Sequence, residues 1–367
     1  MTEAPRRIRV LVVDDSAIVR KVLSDCLSGE SDLEVVGTAP DPIIAEAKLA
    51  SLKPDVLTLD IEMPRMDGIT FLKRLMDSHP IPVIVISSLG QASCRVAIEA
   101  LQNGAVEVLA KPAGPYSVGE LRLTLAAKVR AAAAARLRRR PPVPAAPVPP
   151  GRAPLRQPVH PLAFIAIGAS TGGTEAIQHI LTRLPAECPP IAITQHIPAG
   201  FSRAFANRLN ELCALQVKEA EDGDLFRPGL ALVAPGNFHL LVRRSGAQYR
   251  AAVRDGPQVC YQRPAVDVLF GSVAEAARAS AVGVLLTGMG SDGARGLLQM
   301  KQAGAHTIAQ DEASSVVFGM PREAIRLGAA LQVLPLGRMA QALLAAASSR
   351  GSGTVPASAT IIRSASG

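Results

Sequence analysis

A proline-rich segment divides this chain into two parts, and it limits the possible folds more than any other feature. Residues 130–158, RAAAAARLRRRPPVPAAPVPPGRAPLRQP, begin as a helix former and then become rich in proline and alanine. Proline at that density cannot continue a helix or enter the interior of a sheet. We therefore predict two folded domains, 1–128 and 161–350, joined by an extended linker over 129–160. The Gly/Ser/Ala-rich tail, 351–367, is predicted to be disordered.

The positive charge of the chain lies largely in this linker. The net charge is +8, and residues 129–160 alone contain seven arginines and no acidic residue. A basic linker is a weak signal for nucleic acid, and no basic face with interleaved aromatic residues accompanies it. We therefore predict no nucleic-acid partner.

The cysteines and the apolar runs indicate the compartment. Five cysteines are scattered without a CxxC pair, which is typical of reduced thiols in a cytosol. The first apolar run, RVLVV, is followed at once by two aspartates, so we predict no leader peptide. No apolar run approaches the ~20 residues that a membrane-spanning helix needs. The sequence predicts a cytoplasmic protein without membrane insertion.

Short β-branched runs alternate with amphipathic runs throughout residues 1–128. Five of them are candidate strands: Arg9–Val13, Glu34–Gly37, Val56–Leu59, Val83–Ile86 and Val106–Leu109. This alternation predicts an α/β domain with a parallel sheet and helices on both faces. In such folds polar chemistry collects at the carboxyl ends of the strands.

Five polar side chains follow four of these strands. They are Asp14, Asp15, Asp60, Ser87 and Lys111. Three carboxylates at one sheet edge repel one another unless a cation lies among them, and oxygen ligands select a hard ion such as Mg²⁺. A lysine and a hydroxyl beside them can bind phosphoryl oxygens. The pattern predicts a magnesium-dependent phosphoryl site.

A resemblance to the receiver domain of bacterial response regulators, a flavodoxin-like (βα)5 fold, is carried by VLVVDDS, LTLDIEMPRMDG, VIVISS and AKP. It implies that Asp60 accepts a phosphoryl group from a histidine kinase, while Ser87 and Lys111 contact the phosphoryl oxygens. It implies four oxygen ligands for Mg²⁺: the side chains of Asp14, Asp15 and Asp60 and the backbone carbonyl of Glu62. The chain departs from the pattern at Val108, where receivers usually carry Tyr or Phe as a switch residue. The route by which phosphorylation is transmitted therefore stays open.

Residues 161–350 contain a second series of alternating runs. The candidate strands are Phe164–Ile167, Ile191–Thr194, Leu230–Val233 and Val282–Leu286, with shorter ones at His306–Ala309 and Leu331–Val333. Residues 238–255 contain Ser-Gly between two runs, which is typical of a hairpin. We predict a doubly wound, mostly parallel α/β domain with an antiparallel hairpin.

The stretch AFIAIGASTGGTEAI, 163–177, joins the first of these strands to a helix through a glycine-rich turn. Such a turn either cradles a phosphate or presents Ser170 as a nucleophile. The spacing GxxxGG is not the dinucleotide fingerprint, no acidic residue ends the next strand, and the Walker lysine is missing. Residues 168–172 do match G-x-S-x-G, the turn that exposes a serine at a strand end.

A serine nucleophile needs a base and a group that orients the base. Among the histidines after the first strand of this domain, only His196 comes just after a strand. Asp292 follows another strand in a glycine-rich turn. The order Ser, His, Asp differs from the Ser, Asp, His order of α/β-hydrolases. The pattern indicates a triad outside the usual hydrolase fold, although each residue alone would be an ordinary polar turn.

A resemblance to the chemotaxis protein-glutamate methylesterases, the CheB family, is carried by IAIGASTGG, QHIPAGFS, VAPGNFHL, RPAVDVLF and LLTGMGSDGARG. It implies that Ser170, His196 and Asp292 form the triad, that the Met289 amide with Thr171 nearby stabilises the oxyanion, and that this domain needs no metal. It also implies phosphorylation-regulated hydrolysis of glutamyl methyl esters on chemoreceptors, and deamidation of receptor glutamines. We expect a monomer. Two alternatives stay open: a signalling adaptor with a non-catalytic serine domain, and an esterase of another substrate.

Overall fold

The structure is a computed structural model that describes residues 6–112, 115–137 and 162–349. Most of the predicted linker and the predicted tail lie outside the described residues. Two parallel sheets, each covered by helices, position the polar residues that the sequence singles out.

The N-terminal sheet has five parallel strands. They are β1 (Ile8–Val13), β2 (Leu33–Ala39), β3 (Val56–Asp60), β4 (Val83–Ser87) and β5 (Glu107–Ala110). The helices are α1 (Ala17–Ser28), α2 (Pro42–Leu52), α3 (Gly68–Ser78), α4 (Gln91–Gln102) and α5 (Pro115–Ala133). The strand order is β2-β1-β3-β4-β5, and all five predicted strands are present. Helix α5 continues past the boundary predicted at residue 128.

Helices cover both faces of this sheet, which explains the composition of its central strands. Every residue of β3 and β4 is buried, and a strand buried on both faces needs a continuous apolar run. The two polar residues at their carboxyl ends, Asp60 and Ser87, are the last residues of β3 and β4. Polar side chains at these strand ends do not contribute to the apolar core, so they can form part of a functional site.

The C-terminal domain contains a seven-stranded parallel sheet. Its strands are β6 (Phe164–Ala169), β7 (Ile191–Gln195), β8 (Gln216–Glu219), β10 (Leu230–Val233), β13 (Ala281–Leu285), β14 (His306–Gln310) and β15 (Gln332–Leu334). The helices are α6 (Gly173–Leu181), α7 (Phe201–Leu212), α8 (Val266–Ala276), α9 (Ala294–Gln302), α10 (Met320–Arg326) and α11 (Leu336–Ser349), with a 3₁₀ turn at Arg278–Ser280. The order is β15-β14-β13-β6-β7-β10-β8. Strand β7 lies on one side of the central strand β6 and β13 lies on the other, so the carboxyl end of β6 is a topological switch point.

The predicted hairpin is present but differs in two respects. Strands β11 (His239–Ser245) and β12 (Gln248–Arg254) pair with β9 (Leu225–Phe226) in a separate antiparallel sheet. Strand β11 continues through Ser245, so the turn lies one residue later than predicted. There Gly246 adopts a φ of +62° that favours glycine. Strands β8 and β9 were not predicted, because two to four residues carry too little periodicity.

The two domains contact each other through helices and hydrogen bonds. Helix α4 of the first domain packs on α7 of the second. The side-chain amide of Gln102 donates to Oε1 of Gln178 at 2.8 Å. The backbone N–H of Arg136 donates to the Val316 carbonyl at 3.0 Å. The first domain therefore packs directly against the second.

Candidate active site and phosphorylation site

The nucleophile turn lies at the carboxyl end of β6, and backbone hydrogen bonds hold it. The Ser170 amide donates to the Thr287 carbonyl at 3.0 Å, and the Gly173 amide donates back to the Ser170 carbonyl at 2.6 Å. Gly172 adopts a φ of +76°, which allows the chain to turn from the strand into α6. The turn thus forms the tight strand-to-helix bend that G-x-S-x-G predicts.

His196 and Asp292 form a buried pair near this turn. The Nε2 atom of His196 lies 2.7 Å from Oδ2 of Asp292, and both side chains are almost fully buried. The His196 amide donates to the Ala169 carbonyl at 3.1 Å, which ties the histidine to the residue before Ser170. A carboxylate can only accept, so Nε2 carries the proton. The other ring nitrogen, Nδ1, is then the basic one.

The start of helix α8 holds the Asp292 carboxylate. Its Oδ2 accepts from the Val266 amide at 2.7 Å, and its Oδ1 accepts from the Asp267 amide at 2.9 Å. Helix N-termini favour negative charge because their first amides lack partners and the helix dipole is positive there. A Cβ atom at Gly168 would lie 2.2 Å from Val266, so glycine at 168 lets α8 approach the strand.

The sequence alone did not single out Asp267, which lies beside this carboxylate. Its Oδ1 accepts from the Gly296 amide at 2.7 Å. Burial, and then the nearby charge of Asp292, raise the pKa of Asp267. These contacts join the start of α8 to the start of α9, so Asp267 supports the position of the helix that holds Asp292.

Two backbone amides near Ser170 are available as donors. Neither the Thr171 amide nor the Met289 amide donates to any described residue. The Thr287 hydroxyl donates to the Thr171 carbonyl at 3.0 Å, which joins the two loops that carry these amides. Amides without a partner at a nucleophile turn are the groups that can stabilise a tetrahedral oxyanion.

The reacting atoms themselves are not yet in hydrogen-bond contact. Within the described residues, neither the Ser170 hydroxyl nor Nδ1 of His196 has a hydrogen-bond partner. The structure therefore joins His196 to Asp292 and places Ser170 on the adjacent strand end, without a bond from serine to histidine. Such contacts often tighten only when substrate binds.

A residue of the first domain reaches the nucleophile turn, and no pattern in the sequence predicts this contact. The Thr171 hydroxyl donates to Oε2 of Glu107 at 2.8 Å, and both side chains are buried. The same oxygen lies 2.6 Å from the Lys128 ammonium of α5. Glu107 is the first residue of β5, so the sheet of the first domain directly contacts the residue after Ser170.

A cleft of about 660 Å³ opens beside these residues. Met289, Ser291 and Val316 of the second domain line one side, and Ala134 and Arg136, after α5, line another. Access to the cleft depends on how the two domains are placed.

The first domain brings three carboxylates together, as predicted. One oxygen from each of Asp14, Asp15 and Asp60 lies within 4.8 Å of the others. The Lys111 ammonium lies 2.6 Å from Oδ2 of Asp60 and 3.4 Å from Oδ2 of Asp14. Ser87 is fully buried at the end of the neighbouring strand. Asp15 is the one exposed carboxylate of the three.

Burial and the charges of neighbouring groups shift the pKa values of Asp14, Asp60 and Lys111. Burial, and then the charge of Asp60, raise the pKa of Asp14, whereas burial is the main cause that raises the pKa of Asp60. Burial alone would lower the pKa of Lys111, but its bond to Asp60 and the nearby carboxylate charges raise it. Two buried carboxylates thus share a single ammonium.

The carboxylate set fits a hard divalent cation. Oδ2 of Asp14 is buried and accepts no hydrogen bond among the described residues, although the Lys111 ammonium lies 3.4 Å away, and the donor atoms are all oxygen. The Glu62 amide donates to Oδ1 of Asp60 at 3.1 Å, which holds the predicted fourth ligand residue beside the others. The Glu62 side chain accepts from the hydroxyls of Ser93, in the first turn of α4, and of Ser88, in the loop before it.

Val108 does not face solvent. It is 1% exposed and belongs to the apolar cluster that also contains Cys94 and Ile98 of α4. The position at which receivers usually carry an aromatic switch residue is therefore a packed core position in this chain.

Fold and sites together define a two-domain protein in which a receiver is joined to an α/β enzyme domain. A family model described as CheB methylesterase matches residues 165–343, and one described as a response regulator receiver domain matches residues 10–121. The chain belongs to the CheB methylesterase family and carries a response-regulator receiver domain.

Its relatives match along nearly their whole length. The protein-glutamate methylesterase/protein-glutamine glutaminase 2 of Syntrophus aciditrophicus is 53% identical over 348 residues, covering 92% of this chain and 98% of that protein. The corresponding protein of Salmonella typhi is 52% identical over 341 residues, covering 92% of this chain and 97% of its own. The crystal structure of the Thermotoga maritima CheB methylesterase catalytic domain is 38% identical, covers 50% of this chain and 97% of its own, and has a TM-score of 0.49.

None of the described helices is long and apolar enough to cross a membrane.

Proposed function

We propose that this chain hydrolyses glutamyl methyl esters on the cytoplasmic helices of chemoreceptors and deamidates receptor glutamines. The names of its relatives support this substrate class. The observation that carries the mechanism is the His196–Asp292 pair, in which one ring nitrogen is bonded to a helix-anchored carboxylate and the other is unpartnered.

Ser170 attacks the ester carbonyl in the first step, while Nδ1 of His196 takes the hydroxyl proton. The carbonyl oxygen becomes an oxyanion and accepts from the Thr171 and Met289 amides. Asp292 keeps the imidazole in the required tautomer and stabilises the imidazolium. Methanol then leaves with the proton from His196, and a glutamyl-serine ester remains.

Water completes the reaction by the same path in reverse. His196 takes a proton from the water as it attacks the glutamyl-serine ester, and returns it to Ser170 when that bond breaks. A glutamine side chain passes through the same steps with ammonia in place of methanol, so one site serves both reactions.

Asp60 accepts the phosphoryl group from a chemotaxis-type histidine kinase. Asp14, Asp15, Asp60 and the Glu62 carbonyl would hold Mg²⁺, which would neutralise charge on the phosphoryl oxygens. Lys111 and Ser87 bind those oxygens from the protein side. The enzyme acts as a cytoplasmic monomer, and the residues between α5 and β6 serve as the tether between the domains.

Phosphorylation opens the catalytic domain to its substrate. The bond from Thr171 to Glu107 supports this part of the proposal, because a docked receiver holds the residue next to the nucleophile. A substrate that is itself a protein helix needs more open space around Ser170 than a small ester does. Release of the receiver provides that space.

The test is methanol release from methylated receptor membranes by single and double variants. Ser170→Ala and His196→Ala should each remove nearly all activity, and the double variant should be little worse, because the triad acts as a unit. Multiplicative losses would contradict the assignment. Full function with Ser170→Ala would instead indicate a non-catalytic adaptor, and hydrolysis of small esters without receptor turnover would indicate another substrate.

A further inference from the structure

Gln195 is a buried polar residue that the proposed chemistry does not use, and it lies between the nucleophile and the base. It is the last residue of β7 and pairs with Ala169 of β6, so Ser170 and His196 each follow this pair by one residue. Its Nε2 donates to the Ser170 carbonyl at 2.9 Å and to the His196 carbonyl at 3.3 Å. One amide therefore bridges the two turns that carry the reacting groups.

Glycine at position 173 makes room for this amide. A Cβ atom at Gly173 would lie 2.1 Å from Oε1 of Gln195. Oε1 has no hydrogen-bond partner in the part of the chain that the structure describes. A buried amide oxygen without a partner opposes folding. The stabilising contribution of this side chain therefore comes from its N–H donors.

The Ser170 carbonyl and the Thr171 N–H belong to one planar peptide unit. Two donors hold that carbonyl: the Gly173 amide at 2.6 Å and Nε2 of Gln195 at 2.9 Å. In a trans peptide the N–H points away from the C=O, so fixing the carbonyl also fixes the direction of the N–H. The Thr171 amide donates to no other described residue and is free to face the oxyanion.

We propose that Gln195 is a positioning residue whose amide aims the Thr171 N–H at the oxyanion and ties the nucleophile turn to the histidine turn. The inference rests on the proposed esterase function. Charge develops on the oxyanion only in the transition state, so a misdirected N–H lowers kcat and leaves KM almost unchanged.

Gln195→Met tests this, because it keeps the side-chain volume and removes the donor. The full-length chain is assayed with acetyl phosphate and Mg²⁺ by methanol release from methylated receptor membranes. Loss of a whole oxyanion donor costs ~10²–10³ in rate, so a misdirected donor should lower kcat by about 10- to 100-fold. The affinity for an arylboronic acid, whose adduct with serine places an oxygen at the oxyanion position, should fall by a similar factor.

Thr194→Val is the matched control. Thr194 is the preceding residue of the same strand, fully buried, with a hydroxyl that has no described partner. Its removal should leave kcat and boronate affinity unchanged. Should Gln195→Met fail to fold, Gln195→Glu retains the length of the side chain without its N–H donors, and the same loss is expected.

Folding of each variant is checked by its thermal unfolding midpoint. Unchanged kcat in a folded Gln195 variant, or a rise in KM at constant kcat, would overturn the positioning role. Ser170→Ala is measured alongside. If it retains activity, the proposed function fails as well, whereas an inactive Ser170→Ala beside a fully active Gln195→Met refutes this inference alone.

Discussion

The buried bond between Glu107 and Thr171 allows a quantitative test of gating. Glu107→Gln keeps the length of the side chain and an oxygen that can accept from Thr171, but removes the negative charge. Hydrogen bonds to charged groups contribute ~1.5–3 kcal/mol and neutral ones ~0.5–1.5 kcal/mol. The docked arrangement should therefore lose about 1 to 1.5 kcal/mol relative to the released one.

A loss of that size shifts the ratio of docked to released molecules by about 5- to 12-fold, since ~1.4 kcal/mol corresponds to a factor of ten. While the docked form dominates, the rate of the unphosphorylated chain should rise by about the same factor. The rate with acetyl phosphate and Mg²⁺ should change little, because the released form is already favoured there. The assay is the initial rate of methanol release, with and without the phosphodonor.

Lys128→Gln is the matched control for this experiment. Lys128 lies 2.6 Å from the same Glu107 oxygen, so both variants lose the same ion pair. Only Glu107→Gln weakens the contact with Thr171. An equal rise of the basal rate in both variants would assign the effect to loss of the Glu107–Lys128 ion pair within the receiver. An unchanged rate in Glu107→Gln would refute the argument that the bond to Thr171 stabilises docking.

Three further predictions concern the phosphoryl site, the domain interface and the thiols. Asp60→Asn should abolish the response to acetyl phosphate without lowering basal methanol release, and a persistent response would place the phosphoryl group elsewhere. Arg136→Gln breaks an ion pair with Glu312 in which both side chains are more than half exposed. It should change the basal rate by less than about threefold, because exposed pairs are weak, and a larger rise would contradict the minor role of this contact. Iodoacetamide at pH 8 should label exposed Cys260 before Cys188, because burial raises the pKa of Cys188 to about 11 and leaves about 0.1% thiolate. Peptide mass spectrometry gives the order, and early labelling of Cys188 would show that its site opens.

The placement of the main site residues was predictable because each follows a buried strand. Asp60 and Ser87 end such strands, and Ser170 and His196 follow two paired ones. Parallel pairing then brings these residues to one edge whatever the details of packing. The position of Asp292 after a strand was predictable too, but the orientation of its carboxylate was not, since it depends on amides of α8 that lie 26 and 25 residues away in the sequence.

The contacts of Glu107 and Gln195 could not be predicted in the same way. Glu107 meets a residue 64 positions away in another domain, and no local pattern encodes how two domains dock. From the sequence, Gln195 could be recognised only as the end of a strand that lacks a terminal acidic residue. Its role depends on its side-chain rotamer and on the space that Gly173 leaves. Hydrophobic periodicity in the sequence predicts neither of these.

Strand β5 connects the phosphoryl site of the first domain with the nucleophile turn of the second. Glu107 begins β5 and Lys111 follows its last residue, so the two lie roughly 13 Å apart at ~3.3 Å per residue. Domain grafting must therefore respect this spacing. A foreign receiver spliced in front of this esterase domain would still be phosphorylated, since that chemistry needs only its own aspartates and lysine. Unless the graft also supplies an acid four positions before that lysine, the hybrid would receive the signal without restraining the enzyme through this bond.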